Sequence, residues 1–176
     1  MFVRPSLVAL AVASLLVAPP LAAQANRADS IRTAGQIDAA GKHAEARAIY
    51  QALIATAPDA AAKAAATRRL AMSYGYDANC AKVIELQEQV IAYWQTRRAA
   101  EPQNAHYQEG EMANEAARVC IDHGFLDEAE KMYKRGTALG NAEPAPRTHP
   151  ASLWAFREAH ALALSLIHIS EPTRPY

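Results

Sequence analysis

Between residues 26 and 163 the apolar side chains recur at helical spacing, and every such stripe is cut by a glycine or a proline after a few turns. Ile31, Ala34 and Ile37 mark one face before Gly41; Ala46, Ile49, Tyr50, Leu53 and Ile54 mark the next before Pro58. Apolar residues three and four apart lie on one side of an α-helix, so each stripe reads as one amphipathic helix. None is stable alone, because nucleating a helix is costly and a short one depends on packing. The chain must fold as short helices that cover one another. This predicts an all-α protein of antiparallel helix hairpins.

The rest of the chain continues the pattern. "AAKAAATRRLAMSY" predicts a helix closing at Gly75, 34 residues after Gly41. A longer helix follows, with Val83, Leu86, Val90 and Trp94 as its stripe, and is interrupted at Pro102. A third hairpin begins near His106, turns at Gly124 and presents Ala129, Met132, Tyr133 and Gly136 inward. Beyond the proline-rich loop "NAEPAPRTHPAS", the stretch "LWAFREAHALA" opens a fourth pair. Trp154, Ala155 and Ala159 are expected inside, with Arg157 and Glu158 turned to solvent. The hairpins thus span about 28–58, 60–99 and 106–140, with the first helix of a fourth from 151.

Composition narrows the function classes. Lys plus Arg equals Asp plus Glu at 18 each, so the formal charge is zero. A nucleic-acid groove or a polybasic membrane surface needs a concentrated positive field, and neither is expected. The first residues have the form of a secretory leader: Arg4 in a short polar start, then the apolar run "LVALAVASLLVA". Pro19 and Pro20 follow, and then the small-x-small site Ala23-Gln24-Ala25. Residues 1–25 are therefore expected to be a signal peptide cut after Ala25, leaving no stable membrane span. This predicts a periplasmic protein, with a secreted or cell-surface location as the alternative.

Two units resemble the tetratricopeptide repeat family in their particular residues. From Gly41, Ala46 follows at five, Tyr50 at nine, Leu53 at twelve and Pro58 at seventeen. From Gly124, Ala129 follows at five, Tyr133 at nine and Gly136 at twelve. Glycine permits a tight turn, small residues allow close helix approach, and the tyrosines fill the space between helices. Counted from Gly75, the middle unit departs from the pattern, with Cys80 at the small position and Ile84 at the aromatic one. The resemblance covers roughly residues 26–163. It implies stacked hairpins in a short right-handed superhelix, with an inner groove formed mainly by first helices. That groove would be lined by Arg32, Gln36, Arg68, Arg69 and Arg118.

Other residues carry less. Cys80 and Cys120 fall on helices expected to be neighbours, as either a disulfide in an oxidising compartment or two buried thiols. The histidines do not cluster, and His43 and His123 adjoin hairpin turns, where capping of the last carbonyls is reason enough for them. Glu109, Glu111 and Glu115 read as a solvated acidic stripe rather than a catalytic pair. No hydroxyl has an activating motif, so no enzyme activity, cofactor or metal is expected. The expected function is an interaction or scaffold module with a protein or peptide partner. The alternatives are an accessory repeat domain of a longer secreted enzyme and a self-associating array.

The end of the chain stands apart. "LSLIHISEPTR", residues 164–174, breaks the alanine-rich pattern and closely resembles the translation of a transposon-end sequencing adapter. Residues 164–176 are expected to be non-native, with the natural protein continuing past Ala163.

Overall fold

The computed structural model describes residues 21–170. The expected leader lies outside the described residues as far as Pro20, and the expected adapter-like tail does so from Glu171. Among the described residues the regular elements are seven α-helices: α1 (Leu21–Ala39), α2 (His43–Ala55), α3 (Ala60–Gly75), α4 (Cys80–Arg97), α5 (Pro102–Asp122), α6 (Leu126–Asn141) and α7 (Ala151–Ser170). Each packs most closely on the helix before and after it in the chain, giving a solenoid-like stack of hairpins. The helical-repeat architecture expected from the sequence is present in that general form. Among the described residues no helix is long and apolar enough to cross a membrane.

One hydrogen-bond pattern makes all three hairpin turns. Gly41 N donates to Asp38 O and Lys42 N to Ile37 O; Gly124 N donates to Ile121 O and Phe125 N to Cys120 O. These pairs satisfy carbonyls that the helix end leaves free, and they need a residue at positive φ. Gly41 and Gly124 supply it, at φ 80° and 81°. In the middle hairpin the same pair runs from Ala78 N to Gly75 O and from Asn79 N to Tyr74 O, with Ala78 at φ 55°. Gly75, expected to be the turn glycine, is instead the last residue of α3. It is buried where an added Cβ would lie 3.2 Å from two Val119 methyls. Its lack of a side chain serves the approach of α3 to α5.

That shift corrects the register of the middle repeat. Counted from Ala78, the small position holds Val83, the aromatic position Gln87 and the twelfth Val90. All three are buried, and Gln87 is fully so. Cys80 and Ile84 therefore do not take the roles expected from counting at Gly75. In the outer hairpins the same positions hold buried Ala46, Tyr50 and Leu53, and Ala129, Tyr133 and Gly136.

Local chemistry sets the remaining boundaries. Asp59, next to Pro58, caps α3 by accepting from Ala62 N at 2.7 Å, and Asn79 caps α4 by accepting from Lys82 N at 3.1 Å. Pro102 does not end a helix but starts α5, where its missing N–H would have had no partner. One core cluster joins α1, α2 and α3, with Leu86 of α4, around Tyr50, Leu53 and Leu70. A larger one runs through α3 to α6 around Val83, Ile91, Met112 and Ile121. Within it a disulfide joins Cys80 to Cys120, with Cα atoms 5.0 Å apart, tying the start of α4 to the end of α5.

The last helix docks differently from the sequence expectation. Trp154 is fully buried, but Ala155 and Ala159 are exposed, and Arg157 is half-buried. The indole occupies a socket made by two helical glycines: a Cβ on Gly110 would meet it at 2.6 Å, and one on Gly140 would overlap it. This large ring rotates the inward face of α7 towards Leu153, Trp154 and Arg157. Neither Gly110 nor Gly140 stood out in the sequence, because nothing local marks them as a receptor.

Candidate interaction face

The first helices of successive hairpins touch one another: α1 meets α3, α3 meets α5, and α5 meets α7. Side chains that α3, α5 and α7 turn towards each other share one surface, and α5 is its centre. The acidic residues of α5 organise it. Glu115 accepts from Arg68 of α3 through two donors, one at 3.0 Å, and from Gln87 Nε2 of α4 at 3.0 Å. Glu111 accepts from Arg157 of α7 at 2.5 Å. Glu109, fully buried, accepts from Arg98 Nε at 2.6 Å in the turn after α4.

The expected solvated acidic stripe is thus corrected. Each carboxylate is tied to an arginine from a different segment, as a carboxylate withdrawn from water must be. The guanidinium side answers in kind: the hydrogen bond that Arg68 donates to Glu115 raises the Arg68 pKa above its ordinary value, against the pull of burial. Arg157 also lies 5.1 Å over the Trp154 ring, joining the ion pair to the socket. The three glutamates are each matched to a cation rather than arranged as a proton-exchanging pair.

Between α5, α6 and α7 lies a cavity of about 290 Å³, lined among others by Asn114, Arg118, Tyr133, Phe156 and Arg157. Arg118 is exposed and forms no ion pair among the described residues, not even with Asp122 one turn on. Asn114 is only 7% exposed, and its enclosed Nδ2 has no hydrogen-bond partner among the described residues. Phe156 is 71% exposed on the rim. Burial pushes the Tyr133 hydroxyl above its ordinary pKa, with Arg118 pulling it back. A second cavity of about 200 Å³ lies between α3, α4 and α5, floored by Ala61, Ala64 and Ala65 and walled by Tyr93 and Trp94.

The arginines expected to line a groove divide into two kinds. Arg68 is engaged with Glu115, and Arg32 pairs with Asp29 on its own helix at 2.8 Å. Arg69, Arg118 and Gln36 remain exposed. Only Arg118 lines the α5–α7 cavity.

A second polar cluster lies at the turn end of the first two hairpins. Asp38 is buried and accepts from Ser73 Oγ at 3.0 Å, while His43 Nδ1 lies 2.7 Å from the same oxygen. Arg47 reaches both Ser73 and Asp77 and lies over the Tyr74 ring. The carboxylate sits between serine and histidine, so the histidine has no contact through which to activate the hydroxyl. The arrangement fastens α1, α2 and α3 together. His106 is buried against α6 with Nδ1 3.2 Å from Leu139 O. Among the described residues no three His, Cys, Asp or Glu side chains are grouped to hold a metal ion.

No family model matches this chain, and neither does any curated protein or solved structure.

Proposed function

We propose that this chain is a tetratricopeptide-like interaction module that works in the periplasm or outside the cell. In this reading the stacked hairpins form a right-handed superhelix with α1, α3, α5 and α7 on its concave side. A protein or peptide partner binds there, and the chain acts by binding rather than by catalysis, with no cofactor. The observation that carries the reading is the α5–α7 cavity, which brings together Arg118, without an ion pair among the described residues, and the exposed ring of Phe156, beside Asn114, whose enclosed Nδ2 has no partner among them. Polar groups placed beside apolar surface are what recognition uses, whereas a merely solvated face needs none of them. The engagement of all three α5 glutamates with arginines supports a binding role over an acid–base one.

Site-specific photo-crosslinking in the bacterial periplasm tests the proposal. A crosslinking residue replacing Arg118 on α5 is expected to capture a discrete partner, while one replacing exposed Lys131 on α6 is not. Equal capture from both positions, or none from either, would sink it. A captured second copy of the chain would redirect the reading to self-association.

A further inference from the structure

Among the described residues the charged groups lining the α5–α7 cavity leave one sign uncompensated. Its two carboxylates are already occupied, Glu111 by Arg157 and Glu115 by Arg68 and Gln87. What remains without a counter-ion among the described residues is the Arg118 guanidinium, and beside it the Asn114 Nδ2 amide is enclosed without a partner among them. The two stand four residues apart on α5, so they share one face of that helix. A buried donor without an acceptor is costly, and an exposed arginine beside it gives that deficit a charge sign. The complement of this arrangement is an anionic acceptor.

Size and surroundings narrow the ligand further. At about 290 Å³ the cavity is at the small end for a drug-sized ligand and suits one or two side chains of a longer partner. Phe156 at the rim and Tyr133 in the wall give the rest of such a segment apolar surface. We infer that the α5–α7 cavity seats an acidic side chain of an extended peptide segment, its carboxylate received by Arg118 beside Asn114 and its neighbouring residue lying on Phe156. This rests on the interaction reading above and names the chemistry of the partner.

A library of random peptides amidated at the C-terminus, so that no terminal carboxylate is present, is selected against the whole chain and against variants at Arg118. Wild-type binders are expected to be enriched in Asp or Glu at one position. Replacing that residue by its amide should weaken binding about tenfold to a hundredfold, the range for a charge-assisted hydrogen bond. Arg118→Gln should abolish the enrichment, and Arg118→Glu should turn it towards Lys and Arg. Arg118 is exposed, and circular dichroism should show both variants folded. Binders without an acidic preference, or a preference that survives Arg118→Gln, overturn this inference while leaving the interaction reading intact. So does binding only by the same library with free C-termini, which would assign the cavity to a chain end. If neither library yields a binder, both readings fall.

Discussion

The outer hairpins and the middle one share a turn but not a filling. Gly41 and Gly124 take the positive-φ position in the outer pair, and nine residues on a buried tyrosine, Tyr50 or Tyr133, packs between helices. The middle hairpin puts Ala78 at the turn and Gln87 at the aromatic position. An alanine at positive φ is strained, and a buried amide needs partners that an aromatic ring does not. The middle hairpin answers with longer-range ties. Gln87 joins Arg68 on Glu115, and the disulfide fixes the start of α4 to α5 immediately after the strained turn. The same hairpin geometry can therefore be held by local packing or by cross-links to a neighbour.

The comparison breaks most sharply at the ninth position. Truncating Tyr50 or Tyr133 to Ala should cost about 3–5 kcal/mol, because each leaves a cavity in a core that cannot fully close. Gln87→Met keeps the volume, removes an amide whose Oε1 has no partner, and leaves Glu115 with Arg68. Its cost should stay within about 1 kcal/mol. Urea unfolding measures both, and a Gln87→Met loss as large as the tyrosine losses would show that the amide is a structural requirement.

Removing the disulfide comes next. Its closed loop spans 40 residues, which on chain-entropy grounds corresponds to roughly 4 kcal/mol at most. Cys80→Ala with Cys120→Ala should lower stability by about 2–4 kcal/mol, and reductant should affect the wild type but not the double variant. Alkylation with and without prior reduction reads the bond directly: both thiols labelling without reductant would remove this tie from the comparison.

The turn itself should give the smallest effect, with opposite signs in the two kinds of hairpin. Ala78→Gly relieves the positive φ and should stabilise by about 0.5–1 kcal/mol. Gly124→Ala puts a side chain into the same conformation and should destabilise by about 1 kcal/mol or slightly more, although nothing lies within 4 Å of its Cβ position. Thermal melts of the pair decide it. Shifts of the same sign would show that the two turns are not equivalent.

Much of the stack was legible because its signals are local. Apolar residues at helical spacing, Gly41 and Gly124 at turns and Pro58 as a stop act over a few residues. They determine that the chain is helical and roughly where each helix stops. The spacing of glycines misled at Gly75 because a glycine serves a turn and a close helix crossing equally well, and only Val119 of α5 shows which.

What the sequence by itself determined about this protein is a succession of short amphipathic helices that must pair, since periodicity and helix breaking are properties of the local backbone. Tertiary structure alone decided that Glu109, Glu111 and Glu115 are tied to arginines rather than solvated, that Trp154 enters a socket of Gly110 and Gly140, and that Asn114 and Arg118 keep donors to spare. Arg68 and Glu115 are 47 residues apart, as are Arg157 and Glu111 by 46. Burial and charge pairing depend on which distant segments come together, and the pattern along a single helix does not contain that information.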